Sequence, residues 1–203
     1  DDYLEAAALA ELGFVVVMID GRGTPYRDKT FFDFGCESES FVNFAEDRIA
    51  GIRQLAERYS YIDLNRVGIM AFCGMPGAVY GLLQHPEFYK VGVSHAFHDP
   101  RLIATVYGEL YEGIESRENK QIYAEQLVDN LQGKLLLMHG LMDKLDHSAP
   151  TWRLVDAFQR ANKDFDMLIL PNEGSDAHIG SNYAFRRTWD YFVKHLQGVE
   201  PPK

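Results

Sequence analysis

Cysteine is scarce in this chain, with only Cys36 and Cys73 among 203 residues. Two thiols can form at most one bridge, so a small scaffold held together by several disulfides is excluded. The compartment stays open, and a periplasmic or extracellular parent protein is as compatible as any other. Long apolar runs are also missing. No stretch approaches the roughly 20 residues needed to span a bilayer, and no secretory leader is visible. Positive charge is the third shortage: 20 Lys and Arg face 30 Asp and Glu, for a formal net charge of -10. That balance excludes electrostatic attraction to nucleic acid or to an anionic membrane. There is no internal repeat, low-complexity tract or flexible linker. The chain opens in a helical pattern, "DDYLEAAALAEL", as the carboxyl part of a longer protein would.

What is present is a pattern of short apolar runs alternating with amphipathic stretches. "FVVVMID" (14–20), "RVGIMAF" (66–72), "KVGVSHA" (90–96), "KLLLMHG" (134–140) and "FDMLILP" (165–171) read as strands buried on both faces. Helical patterns occupy about 2–12, 41–59, 76–85, 149–162 and 181–196; in the fourth, Trp152, Val155, Phe158 and Ala161 share one face. Such alternation demands crossover connections, hence an α/β fold with a mostly parallel sheet flanked by helices. The length suits one domain, residues 1–203, with an insertion at about 97–133. Residues 21–40 read as a long loop after the first strand. Loops at strand carboxyl ends are where open α/β sheets keep their sites.

One stretch carries the functional question. "VGIMAFCGMPGAVYGLL" (67–83) reads as a buried strand, a tight turn and a helix. A hydrolase elbow has this shape with the letters G-x-S-x-G, because bulky neighbours clash in the sharp turn. Here the letters are Ala71, Phe72, Cys73, Gly74 and Met75. Elsewhere, "DGRGTP" lacks the spacing of a phosphate-cradling loop. The histidines do not pair at metal-ligand spacing; His95 and His98 with Asp99 come nearest. Neither a cofactor nor a metal is expected.

Six ordered stretches resemble the catalytic domain of the prolyl oligopeptidase family, in its dipeptidyl-peptidase-IV-like branch. They are "GFVVVMIDGRGTPYR", "AGIRQLAERYSYIDLNRVGIM", "HPEFYKVGVSHAFHDPR", "LLLMHGLMDKLDHSAPTWRLVDAFQRANKDF", "LILPNEGS" and "RRTWDYFVKHLQGVEPP". The resemblance implies an α/β-hydrolase fold, with further strands in the family ahead of the point where this chain begins. It also implies cleavage of peptides after proline or a small residue by serine, aspartate and histidine. Counting forward from the strand places Cys73 at the serine, whereas counting back from the following helix places Phe72 there. A thiolate would be a competent nucleophile, and a lone cysteine is also an ordinary small core residue.

Asp143, just past a strand, matches the family's aspartate. Ser175 occupies the histidine position, with His178 three residues on and His147 a weaker substitute. Gly74 would offer its N–H to the developing oxyanion. Tyr107 and Tyr111 match the walls of the proline-accepting pocket, or pack as core. Leu110 and Leu145 stand where polar residues are common. Serine cannot take a proton near neutral pH, so the resemblance implies a peptidase domain with activity absent or much reduced. Two other readings remain: a cysteine hydrolase of esters or short peptides, and an interaction module, since family members often form homo-oligomers through this domain.

Overall fold

The computed structural model describes residues 2–37, 40–72, 77–98, 122–174 and 181–201. Three helices come first: α1 (Asp2–Glu11), α2 (Lys29–Glu37) and α3 (Ser40–Arg58). Then β1 (Val67–Ala71), α4 (Gly77–Gln84), β2 (Tyr89–His95), β3 (Lys134–Gly140), α5 (Ala149–Arg160), β4 (Asp166–Leu170) and α6 (Asn182–Phe192) follow in order. Short 3-10 turns at Ala124–Gln126 and Val128–Asn130 precede β3, and a π turn at Val193–Gln197 extends α6. Gly198, at φ 69°, closes that turn in the left-handed region that glycine enters without strain.

The four strands form one parallel sheet in the order β1-β2-β3-β4. Its continuous apolar strands are explained by what lies on each face. In β3, Leu135 and Leu137 point into one core with Val79, Leu82, Leu154 and Phe158, from α4 and α5. Leu136 and Met138 point the other way, against Tyr191, Phe192 and Leu196 of the carboxyl-terminal helix. Successive side chains on a strand alternate faces, so burial on both sides removes any polar alternation. The helices are fixed by the same cores. Leu154 and Phe158, four residues apart, bury one face of α5, whose first turn holds Pro150. Ser181 caps α6 by accepting from the Ala184 N–H.

Two expectations are corrected. Residues 14–20 form no strand among the described residues, and the four-stranded sheet gives them no neighbour to pair with. Phe14 nevertheless packs on Phe192, their ring centres 6.4 Å apart, while Met18 is 64% exposed. Residues 21–40, read as a loop, contain α2. Asp28 starts it by accepting from the Phe31 N–H at 2.9 Å, a cap that the Gly- and Phe-bearing composition hid. The turn before it is anchored to α3 by Arg22, whose guanidinium donates twice to Asp47 at 2.8 Å and holds that carboxyl below its usual range. The ends of the described chain also meet, since the Gln197 side-chain amide donates to the Leu12 carbonyl at 2.7 Å.

Candidate active site

The carboxyl ends of β1, β2 and β3 lie side by side, with Ala71 opposite Ser94 and His95 opposite Met138. The turn after β3 presents Asp143. Its Oδ1 accepts the N–H groups of Leu145 at 2.9 Å and Asp146 at 2.8 Å. Its Oδ2 is buried and has no hydrogen-bond partner among the described residues. One oxygen therefore shapes the turn while the other stays available to a donor. Leu141, Met142 and Leu145, its neighbours along the turn, have exposed apolar side chains.

The loop after β4 is tied to this turn. The Met142 N–H donates to the Glu173 carbonyl at 2.9 Å, and the Leu141 N–H to the Leu170 carbonyl at 3.0 Å. The approach is close at Gly140, where an added Cβ would lie 2.4 Å from the Glu173 oxygen and 2.9 Å from that of Gly174. Gly140→Ala is therefore expected to push backbone against backbone and cost about 1–3 kcal/mol in a denaturant melt. Gly174→Ala, whose Cβ would sit 3.7 Å from the Met142 oxygen, should stay within about 0.5 kcal/mol of the parent protein.

Behind the turn is a polar network that sequence reading missed. Asp146, only 7% exposed, receives a hydrogen bond at 3.0 Å from His98 Nδ1 to its Oδ1. Its carbonyl accepts from Nε2 of the fully buried His139 at 3.1 Å. The Thr151 hydroxyl lies 3.1 Å from His139 Nδ1, with the Phe97 carbonyl a longer 3.4 Å away. A carbonyl only accepts, so His139 carries its proton on Nε2 and takes the Thr151 proton at Nδ1. The signal for His98 was in the sequence, where it was weighed as a metal ligand; its partner 48 residues on was not legible.

Burial holds His139 below its ordinary value, with the Asp143 charge and the bond to Asp146 opposing the shift. The fold thus favours the neutral ring, and the unfolded chain binds the proton more readily. Its contribution to stability is complete above the ordinary histidine value near 6.5, and drains away as pH falls from there towards the lowered one. Urea melts between pH 5 and 8 should show that decline, and His139→Gln should flatten it.

Cys73, Gly74, Tyr107, Leu110, Tyr111, Ser175 and His178 lie outside the described residues. His147 is exposed and accepts the Ala149 N–H on Nδ1 at 3.1 Å, at the entry to α5. Leu145 is 64% exposed. Among the described residues no cluster of three His, Cys, Asp or Glu could hold a metal, and no helix is long and apolar enough to cross a membrane.

A parallel sheet covered by helices, with a carboxylate presented after its third strand, is the architecture of an α/β hydrolase. The crystal structure of Porphyromonas gingivalis dipeptidyl peptidase 4 superposes with a TM-score of 0.74 at 26% identity, over 87% of this chain and 26% of that one. The description of the prolyl oligopeptidase family matches residues 2–199, and the chain belongs to that family. It is 31% identical to human dipeptidyl peptidase 8 over 184 residues, 84% of this chain and 20% of the relative. It is also 26% identical to the inactive dipeptidyl peptidase 10 of Rattus norvegicus over 181 residues, 86% of this chain and 22% of that protein. The chain therefore spans about a fifth of the length of these curated relatives.

Proposed function

We propose that this peptidase-family domain has lost its peptidase activity or keeps little of it, and serves a binding or scaffold role. The observation that carries the reading is the serine at position 175. Glu173 and Gly174 lead into that position while packed against the Asp143 turn, which supports the reading of Asp143 as the family's aspartate and of Ser175 as the residue in its histidine's position. Serine cannot accept a proton from a nucleophile or protonate a leaving amine. Similarity to an inactive dipeptidyl peptidase 10 adds support. Peptides with proline or a small residue would be the ligands, and a second copy of the chain a partner. The test is hydrolysis of a Gly-Pro or Ala-Pro anilide by the purified protein. Turnover abolished by Cys73→Ala or His178→Ala would overturn the reading.

A second reading is favoured by Asp143. A buried carboxylate oxygen beside two saturated N–H contacts is costly to leave idle. That supports a cysteine hydrolase of esters or short peptides, with Cys73 as nucleophile, the Gly74 N–H at the oxyanion, Asp143 as acid and His178 as the sequence-expected base. Rapid alkylation of Cys73 at neutral pH, well ahead of Cys36, is the result it requires.

A further inference from the structure

We propose that His195, in the π turn that ends α6, is a proton-operated latch: a proton taken up by its ring loosens that turn from the segment that follows α1. The device does not depend on whether the domain hydrolyses anything.

π turns are rare and recur at functional sites. This one, Val193–Gln197, holds two side chains against other parts of the fold. The His195 ring lies on that of the buried Tyr191, with centres 4.4 Å apart and planes at 58°. Two residues on, the Gln197 side-chain amide donates to the Leu12 carbonyl at 2.7 Å. Gly13 follows closely, since a Cβ added there would lie 3.6 Å from the same amide nitrogen. Between His195 and Gln197, Leu196 is buried in one core cluster with Phe192, and Phe192 carries Phe14. A shift of His195 is therefore passed to both contacts that hold residues 12–14.

Charged groups from several elements reach the ring. Asp166 of β4 and Glu200, just past the turn, favour its protonated form, whereas Lys134 of β3 and Lys194 of the turn oppose it. Both carboxylates are already engaged. Asp166 Oδ2 accepts the Tyr191 hydroxyl at 2.8 Å, and Glu200 Oε1 lies 3.8 Å from Lys194 Nζ. Burial, with the bond to Asp166 behind it, pushes the Tyr191 hydroxyl above its ordinary value, so it stays a donor. Lys194 and Glu200 are exposed, and water screens their charges. Burial is the largest influence on His195 and holds its ring below the ordinary histidine value.

Linkage fixes the direction. The latched turn favours the neutral ring, and loosening returns the ring to water and to its ordinary value near 6.5. Loosening thus takes up the proton. The latch is whole above about pH 6.5 and weakens as pH falls from there towards the lowered value.

The test is NMR of the whole chain between pH 5 and 8. The His195 ring should titrate with a midpoint below its ordinary value, and the Gln197 side-chain amide and Gly13 N–H signals should move with that same midpoint. Exchange of the Gln197 amide protons with water, corrected for the pH dependence of a free amide, should quicken at least about threefold from pH 7.5 to 5.5. His195→Gln should abolish both responses, and His139→Gln, which removes the other buried ring with a lowered value, should leave them in place. Coupling of this kind is reciprocal. Gln197→Ala, which cuts the bond to Leu12, should therefore bring the His195 midpoint closer to the ordinary value. Gln197 and Gly13 signals that stay flat while His195 titrates would overturn the latch, as would signals that still respond in His195→Gln. A His195 midpoint that Gln197→Ala leaves unchanged would overturn it too. The unaltered protein and Gln197→Ala decide the matter even if His195→Gln fails to fold.

Discussion

Hydrolysis of a Gly-Pro anilide by this protein is expected to run on the order of 10⁴ to 10⁶ times more slowly than by a family member with serine, aspartate and histidine in place. The magnitude follows from how a triad fails. Its members act as a unit, so removing the base alone costs nearly as much as removing every part, and what survives comes from binding and oxyanion contacts. An anilide makes the demand severe because its nitrogen must be protonated before it leaves. A nitrophenyl ester of the same acyl group carries no such demand, so its residual rate should be much closer to that of the active relative. Equal suppression of both substrates would point to a blocked pocket rather than to missing proton transfer. An anilide rate within about tenfold of the active member would contradict the lost-activity reading outright.

Replacing Phe158 by alanine should destabilise the protein by about 3–5 kcal/mol. Phe158 is completely buried on α5, packs against Phe165 with ring centres 5.4 Å apart, and joins Leu154, Leu135 and Leu137 in the larger core. The lost transfer energy and the cavity add, since strands and helix confine the site on every side. For a chain of this size each kcal/mol lowers the melting temperature by about 2–4 °C, so a thermal scan should show a drop of roughly 6–20 °C. Trp152→Ala is the control: the spacing expected that side chain to share the apolar face with Phe158, but it is 41% exposed, the face being buried at Leu154 and Phe158 instead. It should cost much less.

The alternation of apolar strands and helices was legible because the forces that make it are local and periodic. β1 to β4 and α3 to α6 fall where the sequence places them, within a few residues at their ends. Residues 14–20 failed for a physical reason: apolar character predicts burial, but a strand also needs a hydrogen-bonding neighbour, and a segment cannot declare its own neighbour. The turn that carries Asp143 was legible because a turn just past a strand is a sequence-local feature. The His98–Asp146 pair was not, because it depends on which loops the sheet brings together. The hydrogen bond between Met142 and Glu173, which ties two loops together, has the same origin.

The bond from Gln197 to the Leu12 carbonyl links positions 185 residues apart, and Phe14 rests on Phe192 beside it. Loosening of the residues after the first helix is therefore expected to affect the turn that ends the last one. Amide protons near residues 9–14 and 192–197 should exchange with deuterium as one cooperative unit, with a single opening free energy shared across both extremities. A cut in the backbone near residue 12 would consequently be felt near residue 197.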